Sequence, residues 1–403
     1  MLKLSYGLVI HVRILAPMDY YTYMIRDFKP DHTANNADAP LYFVRSEDKY
    51  RSLWQYIKRY QNPTFNDKLL KKRFPAMDSG LRKSKAQHVA DALKQAEAYF
   101  STARISELSI KPLILYYGAL NMVKALMMFA DNDLTLENAV QRDKGLNTHG
   151  LTNGASNPAD EAIRNDSSNL LKEFGIVTGG DRTVFSLLHS CWSDTPLSNG
   201  SRLELGDLTS MHPNSWRSFK EHTGKPPKYF KIEGTGFRTT ARGDEHMVVF
   251  GGIFNSMLYQ PTMPTGQNNI FAFFEQHLPQ LRAFYNRETQ PQSSFYTSVM
   301  PNNIDEYLPG YREPTGTQFV MQNPDVGQAL HLIEVEFAML FVLGNLTRYV
   351  PQKWLDNVNY GNKGEMFVVE GFINSVAFSF PKLIFEELEE KDYTFTGDVA
   401  YWN

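Results

Sequence analysis

Three groups of residues in this 403-residue chain have types and spacing that can do chemistry. The first is Tyr117, Asn121 and Lys124, set at i, i+4 and i+7 inside the almost wholly apolar run from Leu113 to Phe129. Helical spacing puts all three on one face. A lysine in such a run must find a partner, extend to water or give up its proton. The face therefore reads as a pocket, with Asn121 orienting a polar ligand and Lys124 holding a phosphate or carboxylate, or else as a structural hydrogen-bond network. The second group is Arg348-Tyr349-Val350-Pro351-Gln352-Lys353-Trp354. Arg348 falls in the last turn of a long apolar helix, where a cation meets unpaired carbonyls and the negative end of the helix dipole. Pro351 is expected to end that helix and Trp354 to fold back over its end. A second reading aims the guanidinium at an anion, with Tyr349 and Trp354 offering stacking faces for a base. The third group is Arg142 and His149, with six residues between them in an Asn- and Gly-rich segment, two groups able to act together on a phosphate.

The elements that must position these residues are mostly helical. Tyr50, Leu53, Trp54, Ile57 and Tyr60 have helical spacing, and the alanine-rich stretch from about Ser84 to Ala103 is a strong helix. Pro112 opens the next helix, which is apolar nearly all round and so buried on several faces; the short connection 105–111 makes the two an antiparallel hairpin. From 201 to 255 the texture changes, with strands expected at Lys228–Glu233 and His246–Phe250 and another at Gly316–Met321. A helix is expected over Asn268–Arg287, a long one from Gly327 to Tyr349, another over Glu365–Phe378, and a last one opened by Pro381. The sum is a helix-dominated α+β fold: the helical hairpin and the C-terminal helices pack around a smaller β-containing middle. Three regions are expected, 40–200 helical, 201–325 mixed and 326–392 helical, together forming one compact unit.

Composition narrows the classes. Apolar residues at 42% and charged residues at 21% describe a globular chain, and a net charge of −3 argues against non-specific coating of nucleic acid. A basic stretch at 68–85 and an acidic stretch at 386–392 are solvated faces or docking surfaces for a protein partner. One cysteine, Cys191, excludes an intrachain disulfide and fits a reducing compartment, so a cytoplasmic location is expected. The apolar stretch near the start is too short to span a membrane, and Asn121 and Lys124 interrupt the longer one, so no membrane partner is expected. No phosphate-binding glycine loop, dinucleotide fingerprint, zinc-protease motif or serine elbow is present. His331 and Glu334 at i and i+3 supply too few ligands for a metal, so neither a metal nor a cofactor is expected.

Four segments occur in order: Gln95-Ala96-Glu97-Ala98-Tyr99-Phe100, Lys111 through Asn121, His149-Gly150-Leu151, and Asn345 through Trp354. Together they resemble the YaaC-like family of bacterial proteins over roughly Leu53 to Leu388. The resemblance implies a bacterial cytoplasmic protein and carries no catalytic assignment. Arg142 and His149 also resemble the arginine–histidine pattern of HEPN-type ribonucleases, in which both groups act on the ribose 2′-hydroxyl and the scissile phosphate. The preferred expectation is a binding or regulatory module whose site, drawn from Tyr117, Asn121, Lys124, Arg348, Tyr349 and Trp354, accepts an anionic ligand such as a nucleotide or nucleic-acid end. The rival is a ribonuclease in stress or phage defence using Arg142 and His149. A third reading is a ligand-free scaffold held to partners through 68–85 or 386–392.

Overall fold

Small residues set the closest approaches in the molecule. The structure, a computed structural model, describes residues 42–131, 151–153, 170–179, 183–192, 197, 199–225, 229–232, 235–239, 246–250, 282–283, 294–297, 311–312, 318–321, 330–361, 363–391 and 393–396. In chain order these form β1 (Tyr42–Arg45), α1 (Lys49–Ile57), a 3-10 turn (Lys58–Gln61), α2 (Pro63–Arg73), α3 (Ser79–Ile105), α4 (Lys111–Ala130) and β2 (Leu151–Asn153). There follow α5 (Leu170–Glu173), β3 (Gly175–Thr178), α6 (Val184–His189), β4 (Arg202–Glu204), α7 (Leu205–Met211) and α8 (Trp216–Thr223). After seven strands, β5 to β11, come α9 (Leu332–Tyr349), α10 (Pro351–Tyr360), α11 (Lys363–Glu389) and β12 (Tyr393–Thr396). The fold is α+β and helix dominated.

Ala39–Tyr229 and Met321–Asn403 make one unit, and the strands within Phe230–Val320 belong to another. In the helical unit, Asp78 caps α3 by accepting from the backbone N–H of Leu81 and Gly80, and these donors hold its carboxyl below the usual range. Ala86, Ala90, Ala96 and Ala103 line the buried face of α3. At Gly118 of α4 an added Cβ would sit 2.9 Å from the Phe100 ring, and at Gly344 of α9 one would sit 3.0 Å from Tyr116 Cβ. Glycine is thus what lets α4 lie close against α3 on one side and α9 on the other. α4 and α11 are long and apolar enough to cross a membrane by composition, and burial accounts for 67% and 50% of those windows. Packing against neighbouring helices explains much of their apolar surface.

Antiparallel β2–β3–β4 joins this unit, and a parallel pair, β1 with β12, ties Tyr42 to Tyr393 and Arg45 to Thr396. The other unit holds the antiparallel sheet β6 (Thr235–Thr239), β7 (His246–Phe250), β9 (Ser294–Thr297) and β8 (Arg282–Ala283), and, but for the end residues Met321 and Tyr229, the sheet β10 (Tyr311–Arg312), β11 (Gln318–Met321) and β5 (Tyr229–Ile232).

Two expectations are corrected, and Pro351 ends its helix as expected. Arg282 and Ala283, expected in a helix over Asn268–Arg287, form a strand paired with Tyr296 and Phe295, a long-range pairing that local periodicity does not reveal; the rest of that range lies outside the described residues. Pro381 does not open a helix but lies within α11. Its ring removes a single intrahelical donor, a loss that the surrounding buried residues Val376, Phe380, Ile384 and Phe385 outweigh. Pro351 ends α9 and in the same step begins α10, as a first-turn proline whose missing N–H has no intrahelical use.

The charge runs meet one another. Arg73 of the basic stretch pairs with Glu390 of the acidic one at 2.6 Å, and Glu389 accepts from Arg59 at 2.7 Å and from the Tyr60 hydroxyl at 2.8 Å. Glu386, buried, accepts from Lys382 at 2.6 Å and from the Tyr393 N–H at 2.7 Å. Much of the acidic stretch is therefore engaged within the chain.

Candidate anion site beside the α3–α4 turn

The helices carrying the first two groups of residues do meet. The Arg348 guanidinium donates to the Tyr117 hydroxyl at 2.7 Å, joining the exposed end of α9 to the first turns of α4. Tyr117 is in turn stacked on Tyr99 of α3, with ring centroids 5.9 Å apart and planes 29° from parallel. The Arg348 guanidinium carbon lies 4.9 Å from the centroid of the Tyr349 ring, within cation–π range. Among the described residues no carboxylate lies within ion-pairing distance of Arg348. One turn earlier on α9, the Asn345 side-chain N–H2 has no hydrogen-bond partner. The Asn345 nitrogen is itself buried, so the surface consists of a fixed, unneutralised cation and three tyrosine rings. Two of those rings are open to solvent, Tyr99 at 36% and Tyr349 at 60% exposure. Such a surface can accept an anion and stack a flat ring beside it.

Other expected members stand elsewhere. Asn121 turns back on its own helix, its side-chain N–H2 donating to the Tyr117 carbonyl at 2.9 Å. Lys124 is half-buried with no partner among the described residues, and burial lowers its pKa from the ordinary lysine value. Seven residues of helix separate it from Tyr117, about 10 Å along the axis, so it does not share the Arg348 contact. Trp354 is corrected as a stacking face: it is 1% exposed, and its indole N–H donates to the Ser109 carbonyl at 2.9 Å. It closes the α3–α4 turn against α10. Arg142 and His149 lie outside the described residues.

The most densely wired polar region is one the spacing arguments missed. α9 begins with two glutamates that are 1% and 0% exposed, Glu334 and Glu336. Each meets a histidine from another helix or turn: His189 Nδ1 lies 2.8 Å from Glu334 Oε1, and His212 Nε2 lies 3.0 Å from Glu336 Oε1. Glu336 Oε1 also accepts from the Ser379 hydroxyl at 2.7 Å, whereas its Oε2 has no partner. His331 and Glu334, which stood at metal-ligand spacing, form a capping box instead. Glu334 Oε2 accepts from the His331 N–H at 2.6 Å, and His331 Nδ1 accepts from the Ile333 N–H at 3.3 Å. Cys191 is held as a thiol. Burial, with Glu387 and Glu334 nearby, pushes its thiol up to about 12.

His331 carries a consequence for acid stability. Its ring stacks on Trp192 at 4.2 Å, and burial pulls its pKa down to about 3. The unfolded chain, with an ordinary histidine, binds a proton below about pH 6.5 that the folded chain refuses until about pH 3. The contribution of His331 to stability is therefore full above pH 6.5 and is lost as the medium is acidified through that window, by up to about 1.4 kcal/mol per pH unit, with the Glu387 carboxylate 3.8 Å from its Nε2 working against the loss. Urea unfolding at pH 7.5 and 5.5 should show this loss in the wild type. The loss should be reduced in His331→Asn, which keeps a capping side chain without the titration.

The fold and its surface define a helix-dominated α+β protein with an open arginine–tyrosine face and a buried histidine–glutamate core. A family model described as YaaC-like Protein matches residues 56–388, and the chain belongs to that family. Comparison with curated proteins and comparison with solved structures each return no match.

Proposed function

We propose that this protein is a binding or regulatory module for an anionic ligand that carries a flat ring, a nucleotide or a nucleic-acid end, taken up at Arg348 and the tyrosines around it. One observation carries the reading. Arg348 is held in place by a neutral hydroxyl, that of Tyr117, with no carboxylate beside it among the described residues. An arginine whose task is structural is ordinarily neutralised by an acid, whereas one held by a phenol keeps its charge for something outside the fold. The exposed faces of Tyr99 and Tyr349 flank it and supply stacking at about 1–3 kcal/mol per base.

Fluorescence anisotropy with a labelled 5′-phosphorylated single-stranded oligonucleotide, competed by a mononucleotide, tests this. Arg348→Gln should weaken binding at least about tenfold, near 1.4 kcal/mol, and reduce the salt dependence by about one counterion. Tyr349→Ala should weaken it without changing that slope. Equal binding by wild type and Arg348→Gln, or no binding by either, refutes the reading.

A further inference from the structure

We propose that Ser215, His212 and Glu336 form a nucleophilic site, separate from the Arg348 surface, in which the Ser215 hydroxyl attacks the carbonyl carbon of a small ester. The three groups lie in the order that activates a hydroxyl: Ser215 Oγ is 2.9 Å from His212 Nδ1, and His212 Nε2 is 3.0 Å from Glu336 Oε1. Ser215 occupies the N-cap position of α8, where a serine ordinarily spends its oxygen on the helix's own N–H groups. Here it makes no such cap bond and engages the imidazole instead. A local serine–histidine turn contact would explain that bond alone. It does not explain why a wholly buried carboxylate, from a helix more than a hundred residues away, sits on the far nitrogen of the same ring.

The ring is fixed as well as partnered. The Phe372 ring meets it edge-on at 5.2 Å, and Ser379 donates to the same Glu336 oxygen at 2.7 Å. Glu336 Oε2 is buried without a partner, so the carboxylate's hydrogen bonds all fall on Oε1, where the His212 ring and the Ser379 hydroxyl meet it. Ser215 is 2% exposed, yet Asn214 and Arg217 on either side of it are exposed. The hydroxyl is thus buried in the α7–α8 turn between exposed neighbours, so only a small acyl group is a candidate substrate.

In the step proposed, a bond forms between Ser215 Oγ and the ester carbonyl carbon while the hydroxyl proton passes to His212 Nδ1. Glu336 stabilises the resulting imidazolium through Nε2–H. The carbon–oxygen bond to the alcohol then breaks, and the departing oxygen takes the proton from His212. Water, deprotonated by the same nitrogen, then adds to the acyl carbon; the bond to Ser215 Oγ breaks, Oγ takes the proton back from His212, and the acid is released. No oxidant or reductant is involved.

The test uses the full chain and a fluorophosphonate probe. The expected result is a single adduct in the intact mass, mapped to Ser215 and absent from Ser215→Ala. In His212→Gln and Glu336→Gln the labelling rate should fall at least tenfold, with the near-ultraviolet circular dichroism of the wild type retained. No adduct at Ser215 in the folded wild type, or an unchanged rate in folded Glu336→Gln, overturns the proposal. Should the glutamine variants fail to fold, the wild-type pH profile decides. A labelling rate that rises through one titration to a plateau supports an imidazole base; a rate that climbs tenfold per pH unit without levelling overturns it.

Discussion

Glu336→Ala is expected to lower the unfolding free energy by about 3–5 kcal/mol, the range for removing one member of a buried pair. Glu336 has no exposure, and its Oε1 serves both His212 and Ser379. Alanine leaves the buried imidazole without its carboxylate acceptor, reduces the Ser379 hydroxyl to its longer contact with the Ser375 carbonyl at 3.2 Å, and leaves a void between α9 and α11. Most of the loss comes from that stranded imidazole and the void rather than from any large net benefit of the pair. The cost should therefore be non-additive. Glu336→Met combined with His212→Leu removes acceptor and donor together, and the double variant should be less destabilised than the sum of the singles by more than about 1 kcal/mol. Urea unfolding of the four proteins measures this; additive losses would show that the two side chains are not coupled. Glu336→Gln keeps an acceptor oxygen and should fall between wild type and alanine.

The sequence announced this network by the same logic that drew attention to Lys124, a charge inside an apolar run. Glu334 and Glu336 interrupt a helix that is otherwise apolar from Leu332 to Leu343. What the sequence could not supply was the partners. His189 and His212 lie 145 and 124 residues away, brought in by α6 and by the α7–α8 turn, and no local spacing encodes those meetings. The elements themselves were more legible. The α3–α4 hairpin follows from alanine spacing, a first-turn proline and a short connection, and Gly118 and Gly344 fix how closely its neighbours approach. The strands at Tyr229–Ile232 and His246–Phe250 were readable from β-branched and aromatic runs. Arg282–Ala283 was not, because two residues have no period and their pairing with Phe295 and Tyr296 is decided by the sheet. At the candidate site, the bond from Arg348 to the Tyr117 hydroxyl joins residues 231 apart, a meeting no local spacing encodes, and Lys124 does not share it. Trp354 is buried rather than open, because a large ring at a helix junction gains more by burial than by waiting for a ligand.

That division within Arg348-Tyr349-Val350-Pro351-Gln352-Lys353-Trp354 makes the second large prediction: Trp354→Ala should cost about 3–5 kcal/mol, whereas Arg348→Gln should change stability by no more than about 0.5 kcal/mol. Trp354 is 1% exposed, fills the junction of α10 with the α3–α4 turn, and satisfies the Ser109 carbonyl there. Alanine removes the ring, opens a cavity and leaves that carbonyl short of a donor. Trp354→Phe keeps most of the volume and loses only the N–H, so it should cost about 1–2 kcal/mol, which separates packing from hydrogen bonding. Arg348, by contrast, is exposed and bonded to a phenol that remains stacked on Tyr99 without it. A chemical-denaturation series over these variants, set beside the oligonucleotide titration, gives opposite rankings if the assignments hold. Trp354→Ala should be weak in stability and, where folded, intact in ligand contact, while Arg348→Gln should be stable and deficient in binding. A large stability loss in Arg348→Gln would assign the arginine to the architecture and remove the physical basis for a ligand at that surface, because its charge would then already be in use within the fold.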